Sequence, residues 1–138
     1  MKPVNKSAKK MMDFLTEGVD FDNPKKIDNK PGIFMPVSIE CVGDFPYGKL
    51  YSVTHYGEQN GDLMADPDMI FWKAKTGDYF PCSFRNDYLG ISRESIIFGE
   101  NGPESFYAKE QADEAYFANI WMKNIKEQQE LEINKKTA

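Results

Sequence analysis

The segment between residues 55 and 69 carries the densest set of side chains that could do chemistry. It contains the single histidine of the chain, His55, together with several carboxylates and amides. An imidazole and carboxylates close together could bind a divalent cation or transfer protons. The candidate binding residues of this segment are His55, Tyr56, Glu58, Gln59, Asn60, Asp62, Asp66 and Asp68.

The spacing of these residues does not complete a calcium-binding loop. Glu58, Asn60 and Asp62 step by two residues, as the first ligands of such a loop do. However, Gly61 comes one position too early, and Met69 occupies the position of the closing carboxylate.

A nuclease-like set of acids and a lysine is also incomplete. It needs a second carboxylate two residues before the lysine, and before Lys73 that position holds Phe71. We therefore assign no catalytic residue, no metal and no cofactor. A metal-dependent hydrolase or nuclease that uses this acidic segment stays an alternative, and it requires His55, Asp62 and Asp68 to converge around one ion.

The same residues could instead serve the backbone. Asn60 and Gly61 together are a turn signal because both tolerate positive φ. Asp66 before Pro67 can start another turn, and its side-chain oxygens could cap loop amides. The segment is predicted to be either a tight hairpin with Asn60 and Gly61 at its tip or an eleven-residue loop over 57–67.

A second polar cluster occupies residues 85–90, with the sequence RNDYLG. Arg85 beside Asn86 and Asp87 could clamp a phosphate or a carboxylate. Alternatively, the cluster ends a strand in a turn, and Arg85 pairs with an acid of the neighbouring loop. These three residues complete the candidate binding set.

The hydrophobic pattern predicts the α+β class. Alternation with a period of two predicts four to five strands, and the short turns between them favour an antiparallel meander sheet. In the second strand, Tyr51, Val53 and His55 face one way. The predicted strands cover residues 37–41, 50–56, 69–74, 79–84 and 94–98.

Helical spacing predicts one helix at each end of the chain. Ser7 is the expected N-cap of a short helix that ends at Glu17, before Gly18. After Pro103 the helical pattern continues to about Leu131, and this long helix is expected to cover one face of the sheet. Its predicted apolar face consists of Ala112, Ala115, Tyr116, Phe117, Ile120, Trp121, Met122 and Ile125.

Length and charge narrow the classes of partner. The 138 residues predict one domain, with an ordered core over about 7–131 and flexible tails at 1–6 and 132–138. The net charge of -5 and the pI of about 4.9 do not fit a duplex-DNA binder. We found no apolar run long enough to span a membrane and no secretory signal. We expect a cytoplasmic protein with no membrane partner, and the charge disfavours a nucleic-acid partner; a protein is a possible partner, and the oligomeric state stays open.

The two cysteines, Cys41 and Cys82, lie in apolar, strand-like segments. Two cysteines do not make a disulfide framework, so buried, reduced thiols are expected. A zinc site built from them and His55 would lack a close pair of ligands.

The string HYGEQNGDLMADPDM at 55–69, followed by RNDYLG at 85–90, resembles an uncharacterised family of small proteins carried on phages, plasmids and conjugative elements of gut and other bacteria. The resemblance covers roughly residues 35–95, and the ends resemble additions typical of relatives from Bacteroides-type hosts. It implies an intracellular bacterial setting and a mobile-element origin, and it transfers no catalytic residue.

The sequence therefore predicts a small cytosolic accessory or binding protein of a mobile genetic element. A first alternative is an inhibitor of a host defence protein, which would bind through the acidic middle region. A second is the metal-dependent hydrolase or nuclease described above. A third is a nucleic-acid accessory factor, which would use the lysine-rich ends of the chain.

Overall fold

The computed structural model of the protein describes residues 1–133. Strands β1 to β6 form one antiparallel sheet in chain order, and β7 pairs with β8 in a separate hairpin. The predicted α+β class with a helix at each end is confirmed, but the main sheet has six strands rather than four or five. The elements are α1 (Lys6–Thr16), β1 (Lys25–Ile27), β2 (Val37–Phe45), β3 (Gly48–Gln59), β4 (Asp62–Ala74), β5 (Tyr79–Asn86), β6 (Ile91–Glu94), β7 (Ile96–Gly99), β8 (Gly102–Phe106) and α2 (Ala108–Gln128).

Two strands, β1 and β8, have no predicted counterpart. β1 is a three-residue edge strand that contains two lysines, so it is too short to show alternation. β8 extends from Gly102 to Phe106, and the sequence predicts a helix over its last three residues. The predicted strand over 94–98 is divided at Ser95, where the chain leaves the main sheet for the β7–β8 hairpin. Short strands and edge strands show little alternation of apolar and polar residues, so the sequence pattern does not predict them.

The main core lies between the two helices and one face of the sheet. Ile39, Val53 and Met69 are neighbours across β2, β3 and β4, and all three are fully buried on this face. Met12 of α1 and Met122 of α2 belong to the same cluster. We call this face the helix side of the sheet.

α1 begins one residue earlier than predicted, and Asn5 rather than Ser7 is its N-cap. The Ala8 N–H donates to Asn5 Oδ1 at 2.8 Å, which satisfies an amide that the first turn leaves unpaired. Residues 2–5 lie in the stretch that was expected to be a flexible tail. There Val4 is buried, and its N–H donates to the Tyr79 carbonyl oxygen at 2.9 Å.

α2 ends at Gln128 rather than near Leu131, and only part of its predicted apolar face is buried. Trp121 is buried as expected, but Tyr116 is 71% exposed and Ile120 is 45% exposed. The helix is therefore rotated relative to the prediction. The residues that α2 buries are Gln111, Glu114, Ala115, Ala118, Trp121, Met122 and Ile125.

Buried glutamines at the two ends of α2 connect distant segments of the chain. Gln111 Nε2 donates to the Lys2 carbonyl oxygen at 2.8 Å, and its Oε1 accepts from the Lys2 N–H at 2.7 Å. Gln129 accepts from the Asn29 N–H at 2.7 Å and donates to the Met35 carbonyl oxygen at 3.1 Å. Hydrogen bonds as well as apolar burial therefore fix the rotation of α2.

Glu114 is a buried carboxylate between α2 and the junction of β6 with β7. Ser95 Oγ donates to its Oε1 at 2.6 Å, and Arg93 Nε lies 3.5 Å from its Oε2. Within residues 1–133, Oε2 has no hydrogen-bond partner. Burial raises the pKa of Glu114, although Ser95 and Arg93 act in the opposite direction. The Ser95 hydroxyl is therefore the main polar compensation for burying this carboxylate.

The opposite face of the sheet is covered only in part. The β7–β8 hairpin places Phe98 against Trp72, with their ring centroids 5.7 Å apart, in a second apolar cluster. Beyond this cluster the opposite face carries polar side chains, of which Ser52 and Thr54 are themselves buried. We call that region the outer polar face; it consists of Ser38, Glu40, Ser52, Thr54, Tyr56, Asp68 and Arg85. Among the described residues, neither helix is both long and apolar enough to cross a lipid bilayer.

Candidate functional site

The acidic segment forms the long β3–β4 hairpin and not an open loop. Gln59 pairs with Asp62, and the two residues between them, Asn60 and Gly61, have φ of 53° and 85°. A two-residue turn that fits the twist of a hairpin needs positive φ at both positions. The hairpin alternative is thus confirmed, with Glu58 and Asp62 exposed at the tip.

The predicted turn at Asp66 and Pro67 is wrong. Tyr56 pairs with Ala65, whereas Thr54 pairs with Asp68, so Asp66 and Pro67 form an irregularity inside β4. A bulge of this kind keeps the strand continuous and changes its direction locally.

The second polar cluster forms the turn between β5 and β6, and it supports the β3–β4 hairpin. Asp87 Oδ2 accepts from the Ala65 N–H at 2.8 Å, and the Asp87 N–H donates to the Ala65 carbonyl oxygen at 2.9 Å. Asn86 Nδ2 donates to Asp66 Oδ1 at 2.9 Å. The two polar segments that the sequence singled out are therefore folded against each other.

Arg85 is paired inside this turn. Its Nε and Nη2 donate to the two oxygens of Asp87 at 2.8 and 3.0 Å. The predicted partner, an acid of the neighbouring loop, is therefore replaced by a residue of the same turn. Arg85, and next the Ala65 N–H, lower the pKa of Asp87 to about 2.

Apolar side chains are exposed around these polar groups. Leu63 and Leu89 are each 68% exposed, and Tyr88 is 44% exposed. Tyr88 lies so close to Gly57 that a side chain at position 57 would collide with its hydroxyl group. We call residues 56–65 and 85–90 together the hairpin end.

His55 lies on the helix side and not with the acids. It is 5% exposed, its ring centroid is 5.5 Å from that of Trp121, and its Nδ1 is 3.0 Å from the Pro36 carbonyl oxygen. Burial lowers the pKa of His55, and the Pro36 carbonyl and the Asp66 charge oppose that effect only in part. The imidazole is therefore a neutral core side chain at pH 7.

The three residues required by the metal-dependent alternative do not converge. His55 faces the helices, Asp68 faces the outer side of the sheet, and Asp62 lies at the hairpin tip. Within residues 1–133, no group of three or more His, Cys, Asp or Glu side chains could hold a metal ion. Cys41 and Cys82 are buried and unpaired, and burial raises the pKa of the Cys82 thiol.

Hydroxyl groups that the sequence analysis missed connect the outer polar face. Ser52 Oγ donates to Asp68 Oδ1 at 2.8 Å and lies 3.0 Å from Thr54 Oγ1. Burial raises the pKa of Tyr56, and the charges of Asp68 and Glu40 act in the same direction. Alternation along β3 predicts that Ser52 and Thr54 share the face of Tyr56, but it does not predict the hydrogen bond from Ser52 to Asp68 on β4.

A family model described as a domain of unknown function, DUF6908, matches residues 5–131. The chain belongs to this family. The DUF6908 match spans both helices and all eight strands, so the hairpin end lies within the family region. No curated protein and no solved structure matches the chain.

Proposed function

We propose that this DUF6908 protein is a cytoplasmic accessory protein of a bacterial mobile genetic element, and that it binds a partner protein through its hairpin end. The mobile-element setting rests on the resemblance of the two polar strings. The binding role rests on one observation: the two strings are folded against each other by contacts between residues 20 or more positions apart, Ala65 with Asp87 and Asp66 with Asn86.

The composition of the hairpin end supports protein binding. Leu63, Tyr88 and Leu89 provide exposed apolar area, and the charged side chains of Glu58 and Asp62 are exposed in the same hairpin end. Protein interfaces commonly combine an apolar or aromatic centre with a polar rim. Leu63 lies in β4 and lines a depression with Glu40 and Tyr56, whereas Tyr88 packs beside Gly57, so the hairpin end exposes large apolar side chains at more than one place.

Charge indicates the type of partner. Glu58 and Asp62 have no described ion pair at the tip, whereas the charge of Asp87 is balanced by Arg85. The uncompensated charge of the hairpin end is therefore negative. A partner with a basic surface would associate with the hairpin end faster and with higher specificity than a neutral or acidic partner.

The hairpin end is also held in a fixed geometry before binding. The Ala65 and Asp87 backbones are paired, and the Arg85 side chain forms two hydrogen bonds in the same turn. A surface that is already ordered loses less conformational entropy on association. The inhibitor alternative would use this same surface, and the identity of the partner distinguishes an inhibitor from another accessory protein.

Capture from bacterial lysate tests the proposal with a charge-matched control. The test variant carries Glu58→Lys and Asp62→Lys at the hairpin tip. The control carries Glu100→Lys and Glu104→Lys, two exposed positions of the β7–β8 hairpin with the same change in charge.

We expect the unmodified protein and the control to retain a common partner that rising salt releases, and the hairpin variant to lose it. Urea denaturation of each variant checks that the fold is kept. Capture of the same proteins by all three chains, or loss of the partner only from the control, would contradict the assignment of the hairpin end.

A further inference from the structure

A cavity at the other end of β3 and β4 has the size of a small-molecule site. It is a wide-open depression on the helix side between α1 and the sheet, and its volume is about 660 Å³. Ligand pockets usually measure about 300–1,000 Å³. The side chains that give it chemical character are Lys10, Asp13, Phe14, Glu17, Tyr51 and Lys73.

Two lysines and two carboxylates line the cavity, so its formal charges balance. Within residues 1–133, neither Lys10 nor Lys73 forms an ion pair. Lys73 also stands directly opposite Lys49 in the β3–β4 pair, and like charges at directly opposite positions destabilise a strand pair. An anion bound beside Lys73 would offset this repulsion, so the side of the cavity that carries Lys10 and Lys73 is suited to a negatively charged group.

Asp13 offers a fixed acceptor at the same cavity. The Tyr79 hydroxyl donates to Asp13 Oδ1 at 2.8 Å and lies 3.1 Å from Thr16 Oγ1. Glu17 lies one helical turn after Asp13 and lines the same wall. Carboxylate oxygens in such positions can accept hydrogen bonds from sugar hydroxyl groups.

The remaining wall is apolar. Phe14 is half-buried and packs against the main core, so its ring has a constrained position. Tyr51 is buried in the floor of the cavity. Aromatic rings at a binding site can stack with a nucleobase.

We propose that this cavity binds a mononucleotide, with its phosphate at Lys10 and Lys73, its ribose hydroxyls at Asp13 and Glu17, and its base against Phe14. A nucleotide is the class of metabolite that carries an anion, adjacent hydroxyl groups and a flat aromatic ring in one molecule. No residue of the cavity belongs to the hairpin end, so this inference does not depend on the proposed function.

Calorimetry of the full chain with AMP tests the inference. The test variant carries Lys10→Gln and Lys73→Gln, and the control carries Lys123→Gln and Lys126→Gln, two exposed lysines of α2. We expect AMP to bind the unmodified chain and the control equally. Each cavity lysine that is lost should weaken binding about 10- to 100-fold, as expected for a hydrogen bond to a charged group.

Fragments and analogues of AMP test the phosphate, ribose and base contacts one at a time. Adenosine and inorganic phosphate should each bind far more weakly than AMP, and 2′,3′-dideoxy-AMP should bind less tightly than AMP. The absence of AMP binding, equal affinity of the lysine variant, or phosphate binding as tight as that of AMP would overturn the proposal. Equal binding of AMP and its dideoxy form would overturn the assignment of Asp13 and Glu17.

Discussion

Removal of the Ser95 hydroxyl should destabilise the protein through Glu114. Both side chains are buried, and the 2.6 Å hydrogen bond between them is the one that Glu114 Oε1 receives. Glu114 Oε2 has no hydrogen-bond partner among the described residues. In Ser95→Ala both carboxylate oxygens would therefore lie buried without a hydrogen bond. We expect a loss of about 1.5–3 kcal/mol in the free energy of unfolding at pH 7.5, the range for hydrogen bonds to charged groups.

The loss should depend on pH. Because burial raises the pKa of Glu114 in the folded state, its ionisation lowers stability as the pH rises from its ordinary value of 4.5 through the folded pKa. Ser95→Ala raises that folded pKa further. The variant should therefore lose more stability than the unmodified protein as the pH increases, and the difference should shrink towards about 1 kcal/mol at pH 4.5, where the raised pKa favours the neutral carboxyl.

Urea denaturation at pH 4.5 and pH 7.5 measures this difference. Ser92→Ala, at an exposed position of β6, is the matched control and should change the free energy of unfolding by less than about 0.5 kcal/mol. A Ser95→Ala effect that is equal at the two pH values, or no larger than that of the control, would refute the role assigned to the Ser95–Glu114 hydrogen bond.

Three further outcomes test the fold and the hairpin end. In urea denaturation, Trp121→Ala should lower the free energy of unfolding by about 3–5 kcal/mol because this side chain is buried. Tyr116→Ala, on the exposed side of α2, should lower it by less than about 0.5 kcal/mol. Equal effects of the two variants would contradict the rotation of α2. NMR titration should give His55 a pKa below 6.5, because burial disfavours its charged form. The free energy of unfolding should therefore fall as the pH drops below 6.5. A pKa above 6.5 would place the ring outside the core. Arg85→Ala should return the pKa of Asp87 from about 2 towards 3.8, followed by carboxyl NMR, and an unchanged pKa would exclude the ion pair as its cause.

Local patterns in the sequence were sufficient for the central strands and the hairpin. Alternation placed Tyr51, Val53 and His55 on one face, and all three are buried on the helix side. The turn at Asn60 and Gly61 followed from the need for positive φ. These features depend on residues that are close together in the sequence, so they can be predicted from one sequence.

The rotation of α2 could not be read from the sequence. Its pattern is apolar on more than one side, so Ile120 and Met122 were equally suitable for the core. Hydrogen bonds of Gln111 with Lys2 and of Gln129 with Asn29 connect residues 100 or more positions apart. No local period contains information about such partners.

The candidate site was predicted in part. The acids and amides of the two polar strings were identified, but the pairing of Asp87 with Ala65 was not, because it joins segments 22 positions apart. The alternation of β3 predicts that His55 lies on the same face as Tyr51 and Val53. The structure places Asp68 on the opposite face, so the two side chains cannot share a metal ion. The cavity beside Lys10 and Lys73 depends on how α1 crosses the sheet, which no local pattern specifies.

The position of α2 after all the strands affects how the chain folds during translation. All six strands of the main sheet leave the ribosome before the helix that covers them. Their hairpins connect neighbouring residues and can close early, yet Met69 and Phe71 stay open to water until α2 follows. Nascent chains with uncovered apolar faces are prone to aggregation. α1, which precedes the strands in the element order, can cover part of that face in the interval.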